Sequence, residues 1–185
     1  PSVTEKIFTS RFYTAIRLSV AMICFVLPTK IKKSTAMTFL EFFLQQLEEE
    51  AATTRKMLSR VPTDKFNWKP HDKSMEMKRL AVHIAELPTW ITMTLDTDEL
   101  DFAKNEYKQE PVQNTEELIA YFENCLVKGR QSLKNGHEKD LDKPWTLRNG
   151  EQIYSTSPKR DVLRMAVSQI IHHRAQLGVY LRLLN

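Results

Sequence analysis

From the thirties onward, apolar positions in this chain recur every three or four residues. Phe39, Phe43, Leu47, Ala51, Thr54, Leu58 and Val61 make one stripe, and Glu48, Glu49, Arg55 and Lys56 largely fill the opposite face. That spacing predicts an amphipathic helix beginning at Met37 and stopped by Pro62. Thr63 to Lys73 reads as a loop whose Phe66 and Trp68 fold back onto the core. Ser74 is the expected N-cap of a second helix, in which Leu80, His83, Ile84, Leu87 and Ile91 share a face. Pro88 should kink that helix or start a new segment, because it lacks the amide hydrogen the ladder needs.

A polar connection, Asp96 to Gln113, leads to Asn114, and Glu117 three residues later gives the spacing of a capping box. The third helix then carries Leu118, Tyr121, Phe122, Cys125, Leu126 and Leu133 on its apolar face, and Asn135-Gly136 ends it. Asn149-Gly150 separates Trp145-Thr146-Leu147-Arg148 from Glu151-Gln152-Ile153-Tyr154, the pattern of a hairpin with a type I′ turn. Two strands alone are marginal, so the ribbon must lean on the helices. Ser157 and Pro158 supply N-cap and first residue of a fourth helix running towards Asn185. The expected fold is all-α: an up-and-down four-helix bundle with a small β-hairpin between helices 3 and 4.

Composition changes this picture little. The 185 residues are 42% hydrophobic and 27% charged with only four glycines, which suits a soluble helical domain. Charge changes it more. Residues 1–36 hold Lys6, Arg11, Arg17, Lys30, Lys32 and Lys33 against Glu5, a leader charge of +5, so a net +4 leaves −1 on the remainder. The basic excess therefore belongs to the leader, and a nucleic-acid partner is not expected of the domain. The leader's apolar run, Leu18 to Leu27, is ten residues, where a membrane span needs about 20. Residues 1–36 are expected to be an N-terminal extension, either an upstream start or a weak membrane-surface anchor, ahead of one domain over 37–185. Cys24 and Cys125 are far apart and do not suggest a disulfide, so a cytoplasmic, reducing setting is expected. Cys125 falls in a helical stripe and reads as a small buried filler.

Two places could carry chemistry. His83 lies among apolar residues of the second helix. On the fourth, Gln169 and His173 stand four apart and share a face with Ala166, Gln176, Leu177 and Tyr180. Polar groups on such stripes need partners, and a metal held between facing helices is one solution. Imidazole suits Zn, Ni, Cu or Fe; a glutamine amide is a poorer ligand. The plainer alternative is a set of hydrogen-bonded core side chains. His172 lies about 100° round the helix from His173 and should point elsewhere. His71, in a loop, and His137, beside a helix end, read as surface residues.

At these residues the chain resembles the DinB-like family, which includes YfiT-type metal-dependent hydrolases and thiol-dependent S-transferases. The resemblance runs from Phe42 to Leu184. It rests on Arg60-Val61-Pro62 leading to Phe66-Asn67-Trp68-Lys69-Pro70-His71, on Lys73-Ser74-Met75 and on Leu80-Ala81-Val82-His83. Pro144-Trp145-Thr146-Leu147 follows, and His172 to Arg182 closes it, with Ala175 where the family usually has Gly. The resemblance implies a divalent metal, Zn or Ni foremost, on one histidine of the second helix and a His-x-x-x-His pair of the fourth. Carried over, the ligands are His83, Gln169 and His173, and Gln169 departs from the family's histidine. The implied activity is a thiol S-transferase or hydrolase acting on a small molecule with a low-molecular-weight thiol. Separately, bundles with one exposed apolar helix face commonly dimerise, so a homodimer is an expected assembly. The alternative is a non-catalytic bundle that has lost its metal and binds a small ligand or partner, with Gln169 hydrogen-bonded to His83 or His173.

Overall fold

The computed structural model describes residues 36–105 and 107–184. The apolar run and Cys24 of the leader lie outside the described residues. The first helix, α1 (Phe39–Leu58), starts two residues later than expected, because Thr38 and Glu41 close a capping box. The Thr38 hydroxyl accepts the Glu41 amide at 3.2 Å, and the Glu41 carboxylate accepts the Thr38 amide at 2.8 Å. Leu40, not Phe39, begins the buried stripe, which continues through Phe43, Leu47, Ala51, Thr54 and Leu58. Phe66 is buried beyond the helix end and Trp68 packs against the core, as expected of the loop.

Next come α2 (Met77–Glu86) and α3 (Pro88–Asp96), with Leu87 between them in helical conformation. The break falls where proline removes an amide from the ladder. Ser74 does not cap α2. The helix starts three residues later, and its first amides are taken by the preceding loop: Met77 donates to the Trp68 carbonyl and Lys78 to that of Phe66, both at 2.9 Å. The same device replaces the expected Ser157 cap of the last helix, α5 (Lys159–Leu183), where Lys159 donates to Lys143 O and Arg160 to Leu141 O. Between them, α4 (Thr115–Asn135) is capped by Asn114, whose side chain accepts the Glu117 amide at 2.8 Å. Glu117 in turn accepts from the Gln113 amide.

The expected two-stranded ribbon is a three-stranded sheet. β1 (Glu99–Asp101) comes from the polar connection Asp96 to Gln113 and pairs parallel with β2 (Pro144–Asn149), which pairs antiparallel with β3 (Gln152–Pro158). Three residues carry too little pattern to announce a strand. The turn also differs from type I′, which needs two positive φ angles. Only Gly150 has one, at +56°, and it is the first of the two residues between Asn149 and Gln152. Asp101 joins β1 to this turn, its Oδ1 accepting the Ala103 amide at 3.0 Å and the Gly150 amide at 2.8 Å.

The described part is mostly helical. α1 packs on α4 and α5, and α2 and α3 pack on the same two helices from the other side. No helix among the described residues is long and apolar enough to cross a membrane. Trp145, almost wholly buried, and the buried Lys159 tie the sheet to the helices through Thr97 and Asp98. This packing sets the faces of α2 and α5 against each other, which brings the chemistry-bearing residues together.

Candidate functional site

Arg79, His83 and Glu86 follow one another along α2 at steps of four and three, so they share a stripe. The His83 side chain is 28% exposed and that of Glu86 only 10%. His83 Nδ1 lies 2.7 Å from Glu86 Oε1. A carboxylate only accepts, so the hydrogen is on Nδ1. Tyr107, from the loop between β1 and α4, donates its hydroxyl to the same carboxylate, 3.1 Å from Oε1 and 3.0 Å from Oε2. Burial, followed by the charge and hydrogen bond of Glu86, pushes the phenol up to about 12, so it stays a donor at neutral pH. The Tyr107–Glu86–His83 chain fixes the imidazole and, in the neutral ring, leaves Nε2 as a bare acceptor.

The second imidazole comes from α5. The ring centroids of His173 and His83 are 4.7 Å apart, with the planes at 74°. His173 Nδ1 lies 2.8 Å from Gln176 Oε1, so its hydrogen too is on Nδ1 and Nε2 is bare. The Gln176 amide nitrogen donates to His172 Nε2 at 3.1 Å. His172 itself is exposed, as its angular position required. Burial holds the His173 ring below the ordinary histidine range; the Gln176 hydrogen bond opposes this, and the nearby His83 and His172 add to it. A neutral ring is the form that can ligate a metal.

Arg174 sets the rotation of α5 that aims His173. Its guanidinium reaches α1, where it pairs with the Glu50 carboxylate at 2.5 Å and donates to Glu50 O and Thr54 Oγ1 at 3.1 and 3.0 Å. Gln169 lies one turn before His173, half-buried, with no hydrogen-bond partner among the described residues. The structure thus unites His83 with His173 but pairs neither with Gln169. Their partners are Glu86 and Gln176.

Two imidazoles on one ion at about 2.0–2.1 Å and a tetrahedral angle have centroids about 5 Å apart. The 4.7 Å separation is of that size, so the spacing of the two rings leaves room for an ion between them. No cluster of three or more His, Cys, Asp or Glu suited to a metal occurs among the described residues. Beside His83 a cleft of about 560 Å³ opens, walled by Trp90, Met93, Leu100, Phe102 and Tyr121. Arg79 and Lys108 also line it; Gln169 and His173 do not. Cys125 is buried, and burial raises its thiol above the ordinary range, with the Tyr121 hydrogen bond opposing. It is a filler, as its place in the stripe suggested. His71 and His137 are exposed.

Sequence reasoning missed Glu86 and Tyr107. Glu86 did leave a trace, a carboxylate three residues after a histidine on an apolar face. Tyr107 left none, since nothing local ties a loop tyrosine to a helix twenty residues earlier.

The family model of the DinB family matches residues 34–184. No curated protein matches the chain significantly. Among solved structures, a DinB-like protein from Bacillus subtilis superposes with a TM-score of 0.61 at 18% identity, over 77% of this chain and 92% of that one. One from Bacillus cereus ATCC 10987 gives 0.61 at 20% identity, over 78% and 91%. A mycothiol-dependent maleylpyruvate isomerase gives 0.54 at 16% identity, over 76% of this chain and 63% of that one. At these identities the likeness is one of fold.

Proposed function

The chain belongs to the DinB family, and from that premise we propose that it is a metal-dependent enzyme of the thiol S-transferase or hydrolase type, with His83, Gln169 and His173 as ligands. In this reading α2 and α3 count as one interrupted helix, which makes the helical part an up-and-down four-helix bundle. The observation that carries the proposal is the imidazole pair, in which both Nδ1 hydrogens are held by acceptors and both Nε2 atoms are bare. That is how histidines are prepared for an ion, with the second nitrogen tied to a carboxylate or amide.

A divalent ion there, Zn or Ni, would supply a Lewis acid able to lower the pKa of a thiol or water towards neutrality. His83 and His173 would hold it from two helices, and Glu86 keeps His83 in the right tautomer. The apolar walls of the cleft would pack against the small-molecule substrate beside His83. A low-molecular-weight thiol is the proposed cosubstrate, supported by family membership and by a structural relative that depends on mycothiol.

The test is the metal content of the full chain, purified without a chelating tag. About one equivalent is expected, lost in His173→Ala. Full metal content in that variant would sink the proposed site.

Gln169 favours a second reading, a non-catalytic bundle that binds a small ligand. Glu86 and Gln176 already hold both Nδ1 hydrogens, so those contacts do not depend on an ion. Gln169→His separates the readings. A gain in metal affinity of about tenfold or more shows a competent site lacking one strong ligand, whereas no gain shows a remodelled one.

A further inference from the structure

The cleft beside His83 carries a cationic side chain, exposed at its rim. Arg79 lies one turn before His83 on the same stripe of α2, lines the cleft, and makes no hydrogen bond or ion pair among the described residues. Its field reaches the cleft interior, where it favours ionisation of the Tyr107 phenol against the stronger opposing effects of burial and Glu86. Lys108 adds a second cation to the lining. Among the described residues the one carboxylate lining the cleft, Glu86, is engaged at both oxygens by Tyr107 and at Oε1 by His83. Between these ends the wall is apolar and aromatic, with Trp90, Phe102 and Tyr121 offering ring faces and Met93 a deformable thioether.

We propose that this cleft binds an amphipathic organic anion, an aromatic or alkyl body carrying one carboxylate or sulfonate, with the anionic group on Arg79 and the apolar body against Trp90 and Phe102. The assignment deepens the enzyme reading by naming the class of its small-molecule substrate. Four residues of helix rise put Arg79 about 6 Å along the axis from His83. The anion is therefore anchored at one end of the stripe while the body lies towards the histidines. A guanidinium at the rim of a cleft gives a carboxylate a charge-assisted hydrogen bond. A cationic ligand would meet Arg79 and be repelled.

The test uses the full chain stripped of metal with a chelator, so that it does not depend on the ion. Two probes of nearly equal shape are titrated calorimetrically, 1-naphthaleneacetate and its neutral amide. The acetate is expected to bind about tenfold more tightly, the factor that one charge-assisted contact of about 1.4 kcal/mol supplies. In Arg79→Gln the acetate should fall to the affinity of the amide, with amide binding unchanged, which also shows that the cleft is intact. Arg79→Lys should restore part of the preference. Arg182→Gln, which removes an arginine lining a different crevice, should leave it untouched. Equal binding of the two probes to the unaltered chain, binding of neither, or a preference that survives Arg79→Gln would each overturn the proposal. If anion binding holds and metal uptake fails, the cleft assignment stands and the metal reading falls.

Discussion

Glu86 shows how one side chain changes the chemistry of another. On an isolated helix it would be a solvated acid near the C-terminal end. Here it is buried, and its carboxylate bonds the Tyr107 phenol and the His83 ring. Its consequence is the tautomer of His83, which decides the nitrogen presented to a ligand. Glu86→Gln keeps the shape, removes the charge and offers His83 a weaker acceptor. Divalent-metal affinity, measured by calorimetry, should fall about 10–100-fold, the usual loss when a ligand's supporting partner is changed. Affinity equal to the unaltered chain would mean that something else orients His83. Tyr107→Phe should have a smaller effect in the same direction, since it leaves the carboxylate in place.

Close approach and irregular joints govern the elements. Gly129 on α4 faces the start of α3 so closely that a Cβ there would lie 2.8 Å from the Pro88 carbonyl oxygen. Backbone cannot yield as a side chain tip can. Gly129→Ala should lower stability by about 1 kcal/mol in urea denaturation, an overpacking cost of about 1–3 kcal/mol offset by about 1 kcal/mol of helix propensity. A stabilised variant would show that α3 and α4 can separate freely. The sheet has its own joint in Asp101. The Gly150 amide holds this carboxyl below its ordinary range, helped by the Ala103 amide, Lys104 and Arg148 and opposed by burial. A depressed folded-state pKa means stability that is present above the unfolded value, about 3.9, and lost as pH falls through the lower folded value. Asp101→Asn should therefore be less stable at pH 7, and the deficit should narrow as the pH drops below about 3.9. A deficit constant down to pH 2 would remove the charge from the explanation.

For the whole molecule, the two histidines lie ninety residues apart in the chain, on different helices, so an ion between them would cross-link the bundle. Metal bound only by the folded state at a hundred times its dissociation constant should add about 2.7 kcal/mol to unfolding, and a chelator should remove it. Differential scanning calorimetry of the full chain with and without Zn reads this directly. A Tm indifferent to Zn would favour the metal-free reading, and His83→Ala would then be no less stable for lack of an ion. The charge distribution also belongs to this scale. A domain near neutrality beside a basic leader should show its nonspecific, salt-sensitive binding to polyanions chiefly through the leader.

Much of this was legible along the chain because it depends on neighbours in sequence. Three- and four-residue spacing gave the helices, since burial of one face is enough to select that period. Pro88 and Asn114 marked their boundaries through local backbone chemistry, and His83, Gln169 and His173 were visible as polar residues on apolar stripes. Other features depend on residues distant in sequence, and local pattern is silent about those. The caps expected at Ser74 and Ser157 were displaced because loop carbonyls satisfied the amides first. β1 exists because β2, more than forty residues later, offers it a ladder. Gln169 was read as a possible partner of the histidines, yet Glu86 and Gln176 occupy that role. Sequence by itself determined which faces must be buried, because hydrophobicity and spacing are properties of the chain. Tertiary structure decided which polar groups meet inside, because hydrogen bonds form only between atoms that packing has already brought within about 3 Å.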